Sequence, residues 1–174
     1  MNARPALRAT LAAAWLGGWL LTSGCGARPQ PASTTANADT GPQPDPQAAA
    51  ALRAVIQAYE AALNANDLEA ILGLYGREPV FMPQHAPALV GRDAVRAGYQ
   101  AVFATIKLDL RFELHDLTQA GDWAWARTSS AGRTRILAAD LEVTEGNNEL
   151  FVFRREDGAW RIHRYLFATN QPRS

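Results

Sequence analysis

Residues Arg92 to His115 read RDAVRAGYQAVFATIKLDLRFELH, and within this stretch the apolar period changes. Val95, Tyr99, Val102, Phe103 and Ile106 recur at steps of three and four, which predicts a helix from about Arg92 to Ile106. Asp93 sits in its positively polarised first turn. Leu108, Leu110, Phe112 and Leu114 then alternate with Asp109, Arg111, Glu113 and His115, the pattern of a strand with one buried face.

Upstream of this stretch the pattern is helical. Asp45 followed by Pro46 is a helix start, and Leu52, Val55, Ile56, Tyr59, Ala62 and Leu63 form the face that follows. Asn66, with Glu69 three places on, is the expected cap of a second helix whose stripe is Leu68, Ile71, Leu72 and Tyr75. A short strand is expected at Val80 to Met82, then a loop from Pro83 to Pro87 leading to Leu89 and Val90. Downstream the pattern is extended. Strands are expected at Trp123 to Ser129 with a continuation to about Leu137, at Leu150 to Arg154, and at Trp160 to Thr169. Turn signals stand at Gly121-Asp122, Gly132, Gly146-Asn147-Asn148 and Asp157-Gly158. Helices first and strands afterwards define an α+β class: three helices packed on a curved, mainly antiparallel sheet.

The chain has 174 residues, with 17 Lys and Arg against 17 Asp and Glu, and no basic stripe interleaved with aromatics, so nucleic acid is not an expected partner. Arg4 and Arg8 precede an apolar run from Ala9 to Leu21 and the string LTSGC, which predicts a signal peptide over residues 1–24. Cys25, the only cysteine, resembles the lipidated residue of a bacterial lipobox, although Thr22 stands where that motif usually has Leu. An ordinary secretion signal with an incidental cysteine is the alternative. Residues 25–47, rich in Pro, Gln and Ala, read as an extended tether, 48–170 as the one domain and 171–174 as a tail. The expected location is the bacterial cell envelope, with the membrane reached through a lipid on Cys25.

The stretch QAYEAALNANDLEAILGLY (Gln57–Tyr75), the helix start GRDAV (Gly91–Val95) and the ending ELFVFRREDGAWRIHRYLFATN (Glu149–Asn170) resemble the ketosteroid isomerase-like, SnoaL-like and nuclear transport factor 2-like superfamily. The ending is most similar to its SgcJ/EcaC-type branch. The resemblance implies a cone-shaped α+β fold and a homodimer. It places the isomerase's oxyanion-donating tyrosine on Tyr59 and its supporting aromatics on Tyr75 and Tyr99. It places the isomerase's carboxylate base on Pro83 and its protonated acid near Leu150, neither of which can exchange a proton, so the steroid isomerase mechanism is not expected.

Ligand contacts are expected from Tyr59, Tyr75, Met82, Tyr99 and Arg127, with His85 in the proline loop as the candidate catalytic group. The tyrosines are also readable as core residues bonded to one another, and His85 as a loop residue in solvent. Trp123, Trp125 and Arg127 share one strand face and Ala124, Ala126 and Thr128 the other. If the first set is inward, Arg127 needs a carboxylate such as Glu113 or Glu149; if outward, the tryptophans face a partner subunit. His85, His115 and His163 share no metal-ligand spacing, and no cofactor motif is present, so neither metal nor cofactor is expected. The function these features favour is a pocket for a small apolar or aromatic molecule. A SnoaL-like enzyme (cyclase, isomerase or SgcJ/EcaC-type oxidoreductase) and a structural dimer module with a collapsed pocket are the alternatives.

Overall fold

In the computed structural model, which describes residues 43–171, the first helix starts where a carboxylate meets free amides. Asp45 accepts a hydrogen bond from the Ala48 backbone N–H at 2.8 Å, and Pro46 opens α1 (Pro46–Asn64). Its buried stripe includes Leu52, Ile56, Tyr59 and Leu63. The signal peptide, Cys25 and most of the tether lie outside the described residues. The next helix, α2 (Leu68–Leu74), is capped by Asp67, which accepts from the Ala70 N–H at 2.9 Å. Asn66, the expected cap, instead takes a left-handed φ of 54° in the reversal after α1. Asparagine tolerates that conformation better than most residues. Tyr75, expected in the stripe of the second helix, caps the end of α2 and opens β1 (Tyr75–Met82), which begins before the expected Val80.

The chain continues through β2 (Leu89–Val90), α3 (Arg92–Thr105), β3 (Ile106–Ala120), β4 (Trp123–Ile136), β5 (Leu141–Glu156) and β6 (Ala159–Thr169). The six strands form one sheet in the order β2-β1-β6-β5-β4-β3, in which only β1 and β6 pair in parallel. Three helices on this curved sheet make the cone-shaped α+β architecture that the sequence predicts.

Two expected turns are strand interior. Gly132 lies within β4 and Gly146 within β5, and the hairpin between them turns at Leu137–Asp140, where Asp140 takes φ of 49°. These glycines mark close approach. A Cβ on Gly132 would stand 2.0 Å from the Asp109 carbonyl oxygen, and one on Gly146 would stand 2.5 Å from Asn170 Oδ1.

The sheet's two faces differ in character. Ala124, Ala126 and Thr128 are buried on the inner face, and small residues there leave room for rings from α1 and α3. Trp123 and Trp125 are 40% and 38% exposed on the outer face, joined by Leu150 and Leu166.

Candidate functional site

Helical spacing directs Tyr59 of α1 and Tyr99 of α3 inward, and the start of β1 brings Tyr75 beside them. Tyr99 Oη lies 2.7 Å from Tyr59 Oη and 3.0 Å from Tyr75 Oη, so three buried phenols form one hydrogen-bonded chain. Three hydroxyls carry three protons and two internal bonds use two of them. The third extends beyond the chain, at Tyr59 when it runs from Tyr75 through Tyr99, and the Tyr165 hydroxyl is the neighbouring group that can take it. Burial pushes all three phenols well above their ordinary range, with neighbouring tyrosines adding to the effect, so they remain neutral donors and acceptors. Phe81 stacks on Tyr99 with ring centres 4.9 Å apart, and Tyr165 meets the Tyr59 ring edge-on at 5.0 Å.

A second polar group faces the same space from β5. Alternation puts Glu145, Asn147, Glu149 and Phe151 on the inner side, and Glu149 is only 5% exposed. Thr128 Oγ1 donates to Glu149 Oε2 at 2.7 Å, and Tyr165 Oη donates to Oε1 at 3.4 Å. Burial raises this carboxyl above the ordinary glutamate range, and the hydroxyls of Ser130, Thr128 and Tyr165 oppose the rise.

Between the tyrosines and Glu149 lies a cavity of about 220 Å³. Leu63, Val102, Ile106, Leu108 and Leu110 form one side of it, while Phe81, Tyr165 and Phe167 form the other. Pro83, Gln84 and Glu145 also line it. A larger cleft, of about 300 Å³, runs past Arg77, Arg92, Glu156, Asp157 and Arg161; it is walled by charged side chains and offers little apolar surface. Ligand sites are mostly apolar with a few convergent polar groups, and the inner cavity fits that description.

Of the sequence candidates, Tyr59 and Tyr99 line the cavity, while Tyr75 stands behind Tyr99. Met82 pairs directly with Leu166, and Arg127 with Leu150, on the outer face of the sheet; neither side chain reaches the cavity. Arg127 donates to Asp116 at 2.6 Å, an exposed pair, instead of meeting Glu113 or Glu149. His85 is exposed at φ of 59° and is not part of the cavity wall. His115 meets Ser129 Oγ at 2.7 Å, and His163 is buried against Trp123 with ring centres 4.9 Å apart. No group of side chains suited to a metal ion occurs among the described residues.

Pro83 lies on the cavity wall, at the position that the resemblance gives to the isomerase base. The position given to the acid needs correction. Leu150 is 38% exposed on the outer face, and its neighbour Glu149 carries the buried carboxyl. Glu149 is in phase with Phe151 and Phe153, both of which are buried, but Leu150 and Val152 make the other face of the strand apolar as well. Tyr165, in the terminal strand, was also missed.

Three helices over a cupped sheet, enclosing one apolar cavity with polar groups on its wall, define a cystatin-like α+β cone of the nuclear transport factor 2 type. The chain belongs to the SnoaL-like domain family, whose profile matches residues 55–163. That match does not distinguish the SgcJ/EcaC-type branch. No curated protein sequence matches the chain. Among solved structures, it is similar to a ketosteroid isomerase-like protein from Erwinia carotovora atroseptica, with 28% identity, a TM-score of 0.68, and coverage of 78% of this chain and 99% of that one. An NTF2-like protein with a cystatin-like fold from Novosphingobium aromaticivorans shares 21% identity over 74% of this chain and 85% of its own, with a TM-score of 0.59. A protein with a cystatin-like fold from Nostoc punctiforme shares 12% over 74% and 95%, with a TM-score of 0.61.

Proposed function

We propose that this domain binds a small, largely apolar or aromatic molecule in its inner cavity, with Tyr59 and Tyr99 as the polar contacts on one wall and Glu149 on the other. The observation that carries this reading is the cavity itself. It is mostly apolar, yet a chain of hydroxyls and a buried carboxyl converge on it. Its volume, below the roughly 300 to 1,000 Å³ of drug-sized sites, suits one or two rings. An open cavity weighs against a module whose pocket has collapsed.

The lipobox-like Cys25 and the tether support export to the bacterial cell envelope and a lipid anchor. The exposed tryptophans, with Leu150 and Leu166, support a homodimer through the outer sheet face.

The test is titration with the fluorescent phenol 2-naphthol. Wild type binds, and Leu108→Trp, which fills the cavity, does not. Tyr59→Phe weakens binding by roughly two- to twelvefold, the equivalent of a net hydrogen bond of about 0.5 to 1.5 kcal/mol. Equal affinity in all three proteins would refute the site.

One observation favours a second reading, that of an enzyme. Glu149 is a cavity carboxyl raised by burial, which suits a general acid or base near neutral pH better than an exposed glutamate would. The similarity to a protein described as ketosteroid isomerase-like supports the isomerase form of this reading over the oxidoreductase one. Turnover of a bound ketone that Glu149→Gln abolishes without loss of affinity would decide for the enzyme.

A further inference from the structure

The class of ligand follows from the charges on the cavity wall, an inference that rests on the binding reading above. Glu149 and Glu145 line the cavity, and among the described residues no lysine, arginine or histidine does. Six arginines pair with carboxylates away from the cavity: Arg77 with Asp157, Arg96 with Glu69, Arg111 with Glu60, Arg127 with Asp116, Arg133 with Glu142 and Arg135 with Asp140. Among the described residues no cation pairs with Glu149, whose only hydrogen-bond donors are neutral hydroxyls.

A carboxylate buried without a countercharge is costly, and a cation entering the same space removes that cost. Thr128 donates to one oxygen of Glu149 and Tyr165 to the other, with the Ser130 hydroxyl a third neighbour. A carboxylate accepts about four hydrogen bonds, so acceptor sites remain. The rings of Tyr59, Phe81, Tyr99, Tyr165 and Phe167 line the same cavity and supply contact for an apolar body. An anionic ligand would meet two carboxyl groups and no basic side chain. We infer that the cavity selects a protonated amine carried on a small apolar or aromatic body, with Glu149 as its counterion.

Three probes that share one ring system test this: tryptamine, 3-ethylindole and indole-3-propionate, which are cationic, neutral and anionic near neutral pH. Calorimetric titration should rank tryptamine tightest, by about tenfold or more over 3-ethylindole, with indole-3-propionate weakest. Glu149→Gln should weaken tryptamine by about tenfold and leave 3-ethylindole within about twofold. Should that variant fail to fold, Glu145→Gln at the half-buried edge of the cavity should weaken tryptamine about two- to threefold and spare the neutral probe. If 3-ethylindole binds as tightly as tryptamine, or if the glutamine variants leave the amine unaffected, the amine inference is overturned and the cavity stands. If none of the three probes binds, the cavity reading falls and the amine inference falls with it.

Discussion

Tyr99→Phe is the substitution that best tests whether the three hydroxyls form a chain. Tyr99 is its middle member, bonded to Tyr59 at 2.7 Å and to Tyr75 at 3.0 Å, so the change breaks both bonds and leaves two buried hydroxyls without that partner. The phenylalanine ring keeps the stacking on Phe81 at 4.9 Å, so little apolar contact is lost. A net neutral hydrogen bond contributes about 0.5 to 1.5 kcal/mol, and a stranded buried hydroxyl costs about 1 to 3 kcal/mol. Tyr59 borders the cavity, where water can satisfy it, so the total should be about 2 to 4 kcal/mol. For a domain of this size that is roughly 8 to 15 °C in Tm.

Tyr59→Phe and Tyr75→Phe each break one bond and leave Tyr99 another partner, so each should cost only about 1 kcal/mol. The triple variant, with no hydroxyls left to strand, should be more stable than Tyr99→Phe alone. Urea denaturation followed by tryptophan fluorescence measures all five proteins, with the m-value checking that the unfolded reference is unchanged. Equal costs for the three single variants, or a triple variant whose loss is their sum, would refute the chain.

Stability should also report the Glu149 carboxyl. Its folded value lies above the unfolded value of about 4.3, so the folded state binds more protons in between. The contribution is present below the unfolded value and is lost as pH rises through the folded one, by about 1.4 kcal/mol for each unit of separation. Glu149→Gln should flatten that slope in melting curves above the ordinary glutamate range, and an unchanged slope would show that the carboxyl is not the source. Trp125→Glu on the outer sheet face should convert a dimer to monomer by light scattering at micromolar concentration, and an unchanged mass would remove this face as the interface. Full-length chain expressed in a bacterium should fractionate with membranes and incorporate palmitate, while Cys25→Ser should do neither; equal release of both would end the lipid anchor.

Apolar spacing was sufficient for the helices and for the change of period after Ile106, because each of these elements has one apolar and one polar face. It failed where that contrast disappears. Leu150, Phe151, Val152 and Phe153 are apolar on both faces of β5, so alternation does not say which pair is inward. Counting from a turn then placed the acid near Leu150, whose side chain is outward. Gly132 and Gly146 misled in another way, since a glycine demanded by close approach of a neighbouring backbone or side chain looks in sequence like one demanded by a turn. Tyr59 and Tyr99 were legible as inward residues, and bonding among the tyrosines was one of two readings the sequence allowed; the choice is made by the packing of α1 and α3, which leaves no local mark. The single step from Leu150 to Glu149 is what changes the chemistry. With leucine inward, β5 would give the cavity an apolar wall and the tyrosines alone would orient a ligand. With glutamate inward, held by Thr128 and Tyr165, the same cavity gains a carboxyl opposite the hydroxyl chain, and a ligand can be both oriented and chosen by charge.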